Sequence, residues 1–163
     1  MSKYFTIMFV CTGNTCRSPM AEGALKILLE KEKLTKFRVI SSGTSGASGF
    51  PATMFAIEAA KIWNADISSH QSQPLTKELI RDSDLIFAMA PSHFNEIKRL
   101  VKKSENKTFL FKKFPEKGAD GEGVADPIGQ SLDKYNETFL EIGEYLGKYI
   151  PEIVKRIDDK TND

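Results

Sequence analysis

The chain has 163 residues, 40% of them hydrophobic and 28% charged, with 23 basic residues against 22 acidic ones. A domain of that length buries roughly two-thirds of the surface of its unfolded chain, so it needs no staples, and near-neutral charge gives no field to draw in nucleic acid or an anionic membrane. Two cysteines in one loop exclude the disulfide framework of a small secreted fold, and with His70 and His93 isolated in the sequence no zinc ligand set forms.

The start, "MSKYFTIMFV", has one early lysine and a short apolar run that leads straight into Cys11. It shows no small-residue cleavage site and no span long enough for a membrane, so a cytoplasmic protein is expected. Tyr4 to Val10 is apolar and rich in β-branched residues, as in a strand buried on both faces. "MAEGALKILLEKE" follows as a helix, with Ser18 placed as its N-cap and Pro19 as its first residue. "FRVISS" reads as the second strand, and the glycine-bearing stretch after it, "SSGTSGASGF", as a mobile loop. Residues 52–63 read as a helix, with Phe55 and Trp63 in the core, and residues 76–81 as a short one.

"DLIFAMA" is the third strand, Pro91 opens a helix to about Val101, and "KTFLF" is the fourth strand. A loop bearing Gly and Asp spans residues 112–131. "LDKYNETFLEIGEYLGKYI" then carries apolar residues at helical spacing. The expected domain covers residues 1–157, with 158–163 as a frayed tail. Strands alternating with helices imply an α/β fold: a four-stranded parallel sheet with helices on both faces. Ligands of such sheets bind beyond the carboxyl ends of the strands. The loops after the first and fourth strands leave from that edge. Neither a dinucleotide fingerprint nor a GxxxxGK[ST] loop occurs.

The loop after the first strand carries the chemistry. Between Cys11 and Arg17 lie Thr12, Gly13, Asn14, Thr15 and Cys16, and Gly13 and Asn14 tolerate unusual backbone angles. Inward backbone N–H groups would form an anion nest, reinforced by the positive end of the next helix, and Arg17 would grip two oxygens in a bidentate fork. The same groups would stabilise a thiolate on Cys11 where phosphate binds. Ser18 would donate a further hydrogen bond to that thiolate. A lone cysteine in such a turn is more often a buried core residue. Cysteine, five residues, arginine, serine and a helix-opening proline together fit a nucleophile beside its oxyanion donors. Asp126, extended by Pro127, is a candidate proton donor, with Asp120 and Glu122 as competing carboxylates.

"VCTGNTCRSPMAE" and Asp126-Pro127, with "SSGTSG" and "SSHQSQPLT" as weaker landmarks, resemble the low-molecular-weight protein tyrosine phosphatases. The resemblance covers nearly the whole chain in element order. It implies a flavodoxin-like winding, a phosphate-binding loop of residues 12–18 after the first strand, and a cysteinyl-phosphate mechanism. In it Cys11 attacks, Arg17 clamps and Asp126 acts as acid and then base, with no metal or other cofactor. It also implies that Ser18, Ser42 and His70 support a strained Asn14, His70 being scaffold and not base. The expected partners are a phosphorylated protein and phosphate or another oxyanion, and the expected state is a monomer.

Thr15 stands where tyrosine-specific members carry a large aliphatic residue, and Ile128 and Gly129 stand where they place tyrosines. "CTGNTCRS" with "DPIGQS" resembles the bacterial protein-arginine phosphatases. Phosphoarginine is therefore the expected substrate and phosphotyrosine the alternative. Phe50 is a candidate rim residue. Thioredoxin-coupled arsenate reductases are similar in fold, but they use further cysteines that this chain lacks after Cys16; a non-catalytic phosphate binder is the remaining alternative. Cys16 has two readings, a partner of Cys11 in a reversible protective disulfide or a small core residue.

Overall fold

The computed structural model describes residues 3–162. The sheet is parallel in the order β2-β1-β3-β4, which places β1 (Phe5–Cys11) between β2 (Phe37–Gly43) and β3 (Leu85–Ala88), with β4 (Thr108–Leu110) at the edge. Every residue of β1 is buried, which explains its unbroken apolar run. Phe5, Ile7, Phe9 and Cys11 belong to the larger core, with residues of α1 (Arg17–Lys31), α2 (Met54–Ala60) and α5 (Leu132–Thr161). Met8 and Val10 face the other way, onto Ile80 of α3 (Lys77–Asp82) and onto Phe94 and Ile97 of α4 (Pro91–Leu100). Beneath the sheet's carboxyl edge Phe9 stacks on Phe87 at 5.2 Å between ring centres. Phe111 and Tyr149 extend that aromatic cluster, and the Tyr149 hydroxyl donates to the Phe111 carbonyl at 2.6 Å.

The helices differ from the sequence expectation at their ends. α1 starts two residues early, at Arg17, with Cys16 as N-cap; Ser18 is therefore not the cap, and its hydroxyl is free for the site. α2 is short and passes into a 3-10 turn over Lys61–Trp63. Phe55 is 42% exposed, against the expectation of core, and makes an edge contact with the Tyr135 ring at 5.7 Å. Trp63 is half-buried, packed on Phe139. The tail expected to fray beyond residue 157 is helical to Thr161. Ile153, Ile157 and Thr161 continue the buried stripe of α5, and Lys160 Nζ reaches both carboxylate oxygens of Asp84 at 2.9 Å. Asp163 lies outside the described residues.

The stretch after β2, expected to be mobile, is tied along the 72–75 segment. Gly43 N–H donates to Gln73 O, Leu75 N–H to Gly43 O and Gly49 N–H to Ser72 O, at 2.8 to 3.0 Å. Among the described residues no helix is long and apolar enough to cross a membrane.

Candidate active site

β1 delivers Cys11 to the carboxyl edge of the sheet, and the chain turns through Thr12–Cys16 directly into α1. Five carbonyls of this turn are held by donors outside the ring or in the helix. Thr44 N–H donates to Cys11 O and Ser45 N–H to Thr12 O, both at 2.9 Å; Thr53 N–H donates to Thr15 O at 3.0 Å and Met20 N–H to Cys16 O at 3.1 Å. His70 Nε2 lies 2.7 Å from Asn14 O, and since a carbonyl only accepts, that nitrogen carries the proton. In a planar trans peptide C=O and N–H point in opposite directions. The amides of Thr12, Gly13, Thr15, Cys16 and Arg17 therefore turn away from those donors, toward the ring's centre, and the first amides of α1 have no partner inside the helix. The result is an anion nest at a helix N-terminus. Gly43 makes the close approach possible, because a Cβ there would stand 2.5 Å from Thr12 O.

Asn14 anchors the ring from below. It adopts φ 59°, a left-handed conformation that asparagine tolerates better than most residues, and it is fully buried. Its Oδ1 accepts from Gln73 N–H at 2.9 Å, which fixes the amide's orientation. Nδ2 must then donate, and it does so to Ser18 Oγ at 2.8 Å and Ser41 Oγ at 2.9 Å. Ser41 passes its proton toward Glu22 Oε1 at 2.7 Å. With Ser18 Oγ occupied as an acceptor, its own hydrogen is directed to Cys11 Sγ, 2.9 Å away. A relay of neutral dipoles thus ends as a donor on the one sulfur at the ring's centre. The expected supporting serine, Ser42, is corrected to Ser41. Side chains alternate across a strand, and Ser42 points to the opposite face, onto Met8 Sδ at 3.4 Å.

Arg17 is buried and held at three points: NH1 donates to Val124 O at 3.0 Å, and NH2 lies 3.4 Å from Thr12 Oγ1 and 3.5 Å from Asp126 Oδ2. The 117–131 loop is in turn tied to the end of β3 by Val124 N–H donating to Met89 O at 2.7 Å. Asp126 Oδ1 accepts from Ile128 N–H at 3.1 Å in an Asx turn. Its carboxylate is 42% exposed, so the contact with Arg17 orients more than it stabilises.

Cys11, Gly13, Thr15, Cys16, Arg17, Asp126 and Ile128 line one cleft. Of the competing carboxylates, Glu122 is an exposed partner of Lys112, 4.0 Å away, and neither it nor Asp120 lines the cleft. Phe50 is also absent from that lining; it is 57% exposed on the loop bound to Ser72. Among the described residues no group of three or more His, Cys, Asp or Glu side chains could hold a metal.

His93, isolated in the sequence, stands beside the cradle in the structure. It is 2% exposed in the first turn of α4, with Nε2 2.8 Å from Thr12 Oγ1. Burial first, and then the Arg17 charge, push it down from 6.5 to about 4, with Asp126 pulling the other way. At Cys16 the Sγ sits 3.3 Å from Tyr135 OH and 3.5 Å from Thr53 Oγ1. Burial foremost, and then the contact with Cys16, push Tyr135 up to about 12.

The family model described as low molecular weight phosphotyrosine protein phosphatase matches residues 6–161. This chain belongs to that family. The protein-arginine-phosphatase of Bacillus subtilis (strain 168) is 39% identical over 91% of this phosphatase-family chain and 97% of its own length. The low molecular weight protein-tyrosine-phosphatase Etp of Escherichia coli (strain K12) is 31% identical over 84% and 86%. A solved YwlE arginine phosphatase, a cysteine-to-serine mutant with a phosphorylated active-site serine, superposes with a TM-score of 0.84 at 36% identity, covering 94% of this chain and 99% of its own.

Proposed function

We propose that this family member hydrolyses phosphoarginine in proteins through a phosphocysteine at Cys11. One observation carries the reaction: the Ser18 hydroxyl aimed at Cys11 Sγ at 2.9 Å inside a ring of inward amides. A thiolate there attacks phosphorus, forming the S–P bond as the P–N bond breaks. Asp126 gives its proton to the leaving guanidine nitrogen, while Arg17 and the amides of residues 12–18 carry the charge on the remaining oxygens. Water then attacks phosphorus, the Asp126 carboxylate takes its proton, and the S–P bond breaks toward a thiolate that Ser18 again receives. The side chains of Asn14, Ser41 and His70 hold this geometry without touching substrate. Oxyanion binding and proton transfer account for both steps with side chains and backbone alone.

Thr15 and Ile128, on the cleft lining, support arginine as the substrate. Thr15 offers a hydroxyl where tyrosine-specific members carry a large aliphatic side chain, and Ile128 offers an aliphatic wall where they place an aromatic one. A guanidine is a far stronger base than a phenolate, with pKa above ~12 against ~10, so its departure depends more on Asp126. The Bacillus subtilis relative's name points the same way, and that of the Escherichia coli relative keeps phosphotyrosine as the second reading. Cys16, with the Tyr135 hydroxyl beside it, is assigned as the resolving thiol for an oxidised Cys11. The protein is taken to act as a cytoplasmic monomer on a phosphorylated protein.

The test is kcat/KM on one peptide carrying either phosphoarginine or phosphotyrosine, for wild type and Thr15→Ile. Wild type is expected to favour phosphoarginine, and Thr15→Ile to move the ratio at least about tenfold toward phosphotyrosine, one hydrogen-bonding group's worth of discrimination. An unchanged ratio would refute the role given to Thr15, and a wild-type preference for phosphotyrosine would refute the substrate.

A further inference from the structure

We infer that His93 is a positioning residue for Arg17, acting through the hydroxyl of Thr12. In the strand order β2-β1-β3-β4 the winding reverses between β1 and β3, and the segments that leave those two strands face each other across the switch point. One is the anion cradle. The other is the short turn into α4, whose first turn carries His93. The two meet at a single oxygen: Thr12 Oγ1 is 2.8 Å from His93 Nε2 and 3.4 Å from Arg17 NH2.

The protons on this chain follow from what surrounds it. A ring buried to 2% exposure beside a guanidinium is neutral near pH 7, so it has one N–H to place. Nδ1 is buried without a hydrogen-bond partner among the described residues. A proton there would be a stranded donor, the costlier choice; on Nε2 it is donated to Thr12. Thr12 Oγ1 then receives two donors, which fills both lone pairs of a hydroxyl oxygen and fixes the side chain's rotation. Arg17, held on its other side by Val124 O, is left with one orientation.

His93 does not line the cleft, and among the described residues its ring hydrogen-bonds to Thr12 alone, so it touches neither substrate nor the reacting atoms. Its contribution is to spare the guanidinium a reorientation when the phosphoryl group arrives. Such preorganisation favours the transition state over the ground state.

This role rests on the phosphatase reading above, and the experiment keeps the two apart. Variants His93→Leu, His93→Gln, Thr12→Val and the double His93→Leu/Thr12→Val are compared by kcat and KM on p-nitrophenyl phosphate and by calorimetric Kd for orthovanadate, with Tm as a control. His93→Leu and Thr12→Val are each expected to lower kcat about tenfold with KM little changed, and to weaken orthovanadate by a similar factor, as for loss of a hydrogen bond to a charged group. His93→Gln, which keeps an N–H for Thr12, should recover most of the loss, and the double variant should be no worse than either single one. Thr12 is exposed, so its variant keeps the test open if His93→Leu folds poorly. Values within about twofold of wild type for both single variants, losses that multiply in the double variant, or no recovery by His93→Gln would each overturn the inference. A wild type without turnover would sink the phosphatase reading alone, because orthovanadate binding still reads the guanidinium.

Discussion

At the scale of single residues, Cys11 and the proposed clamp Arg17 and proton carrier Asp126 line one cleft, and their order along the chain suggests that chemistry without knowledge of distant contacts. The side chains that support them are not marked in that order. Two adjacent serines precede the last residue of β2, and only the strand's alternation decides that Ser41, not Ser42, faces Asn14. A slip of one residue exchanges the faces. His93 was invisible for another reason, since 81 residues separate it from Thr12 and nothing local marks that meeting. For Cys16, the Tyr135 hydroxyl remains protonated well past neutral pH and can donate to the sulfur 3.3 Å away. The Cys16 sulfur can attack a sulfenic acid on Cys11, its S–H proton leaving with the sulfenic hydroxyl as water, to form the disulfide. Mass spectrometry after mild peroxide should therefore find a Cys11–Cys16 bridge that dithiothreitol reverses with return of activity. Sulfinic acid on Cys11 with no bridge would show that Cys16 is only a packing residue.

Among the elements, strands and helices were legible from their apolar period, and their ends were not. The last helix runs on because its buried stripe, Tyr135, Phe139, Ile142, Leu146, Ile150, Ile153 and Ile157, keeps a spacing of three or four residues beyond the stretch whose pattern was read. α1 begins early because the cradle itself imposes helical geometry on Arg17 and Ser18. Two glycines inside α5 separate packing from propensity. A Cβ on Gly143 would sit 2.4 Å from the Trp63 ring, whereas one on Gly147 meets nothing within 4 Å. Gly147→Ala should stabilise the protein by about 0.5–1 kcal/mol, the helix preference for alanine over glycine. Gly143→Ala should instead cost about 1–3 kcal/mol, because a packed indole must move. Urea midpoints of both variants check this; equal shifts would mean that Trp63 yields freely.

For the molecule as a whole, the sheet's winding places the cradle after β1, the first turn of α4 after β3 and the Asp126 loop after β4 along one edge, and Arg17 touches or is linked to all three. Folding thus fixes a charged guanidinium beside a buried neutral imidazole, with a consequence for acid stability. The folded-state value for His93, about 4, lies below its ordinary 6.5. The unfolded chain therefore takes up a proton first, and stability is full above about pH 6.5 and falls as the pH drops toward 4, by at most about 3 kcal/mol. Urea midpoints at pH 7 and pH 5 should diverge more for wild type than for His93→Gln; an identical difference in both would remove His93 from this balance.

All of these parts converge on one sulfur, so the most direct measurement is to find where the phosphoryl group goes. Enzyme turning over p-nitrophenyl phosphate, stopped in acid within a turnover and digested for mass spectrometry, should carry a single phosphoryl group on the peptide containing Cys11, and Cys11→Ala should show neither adduct nor turnover. A phosphoryl group on His70 or His93, or turnover that survives Cys11→Ala, would contradict the account.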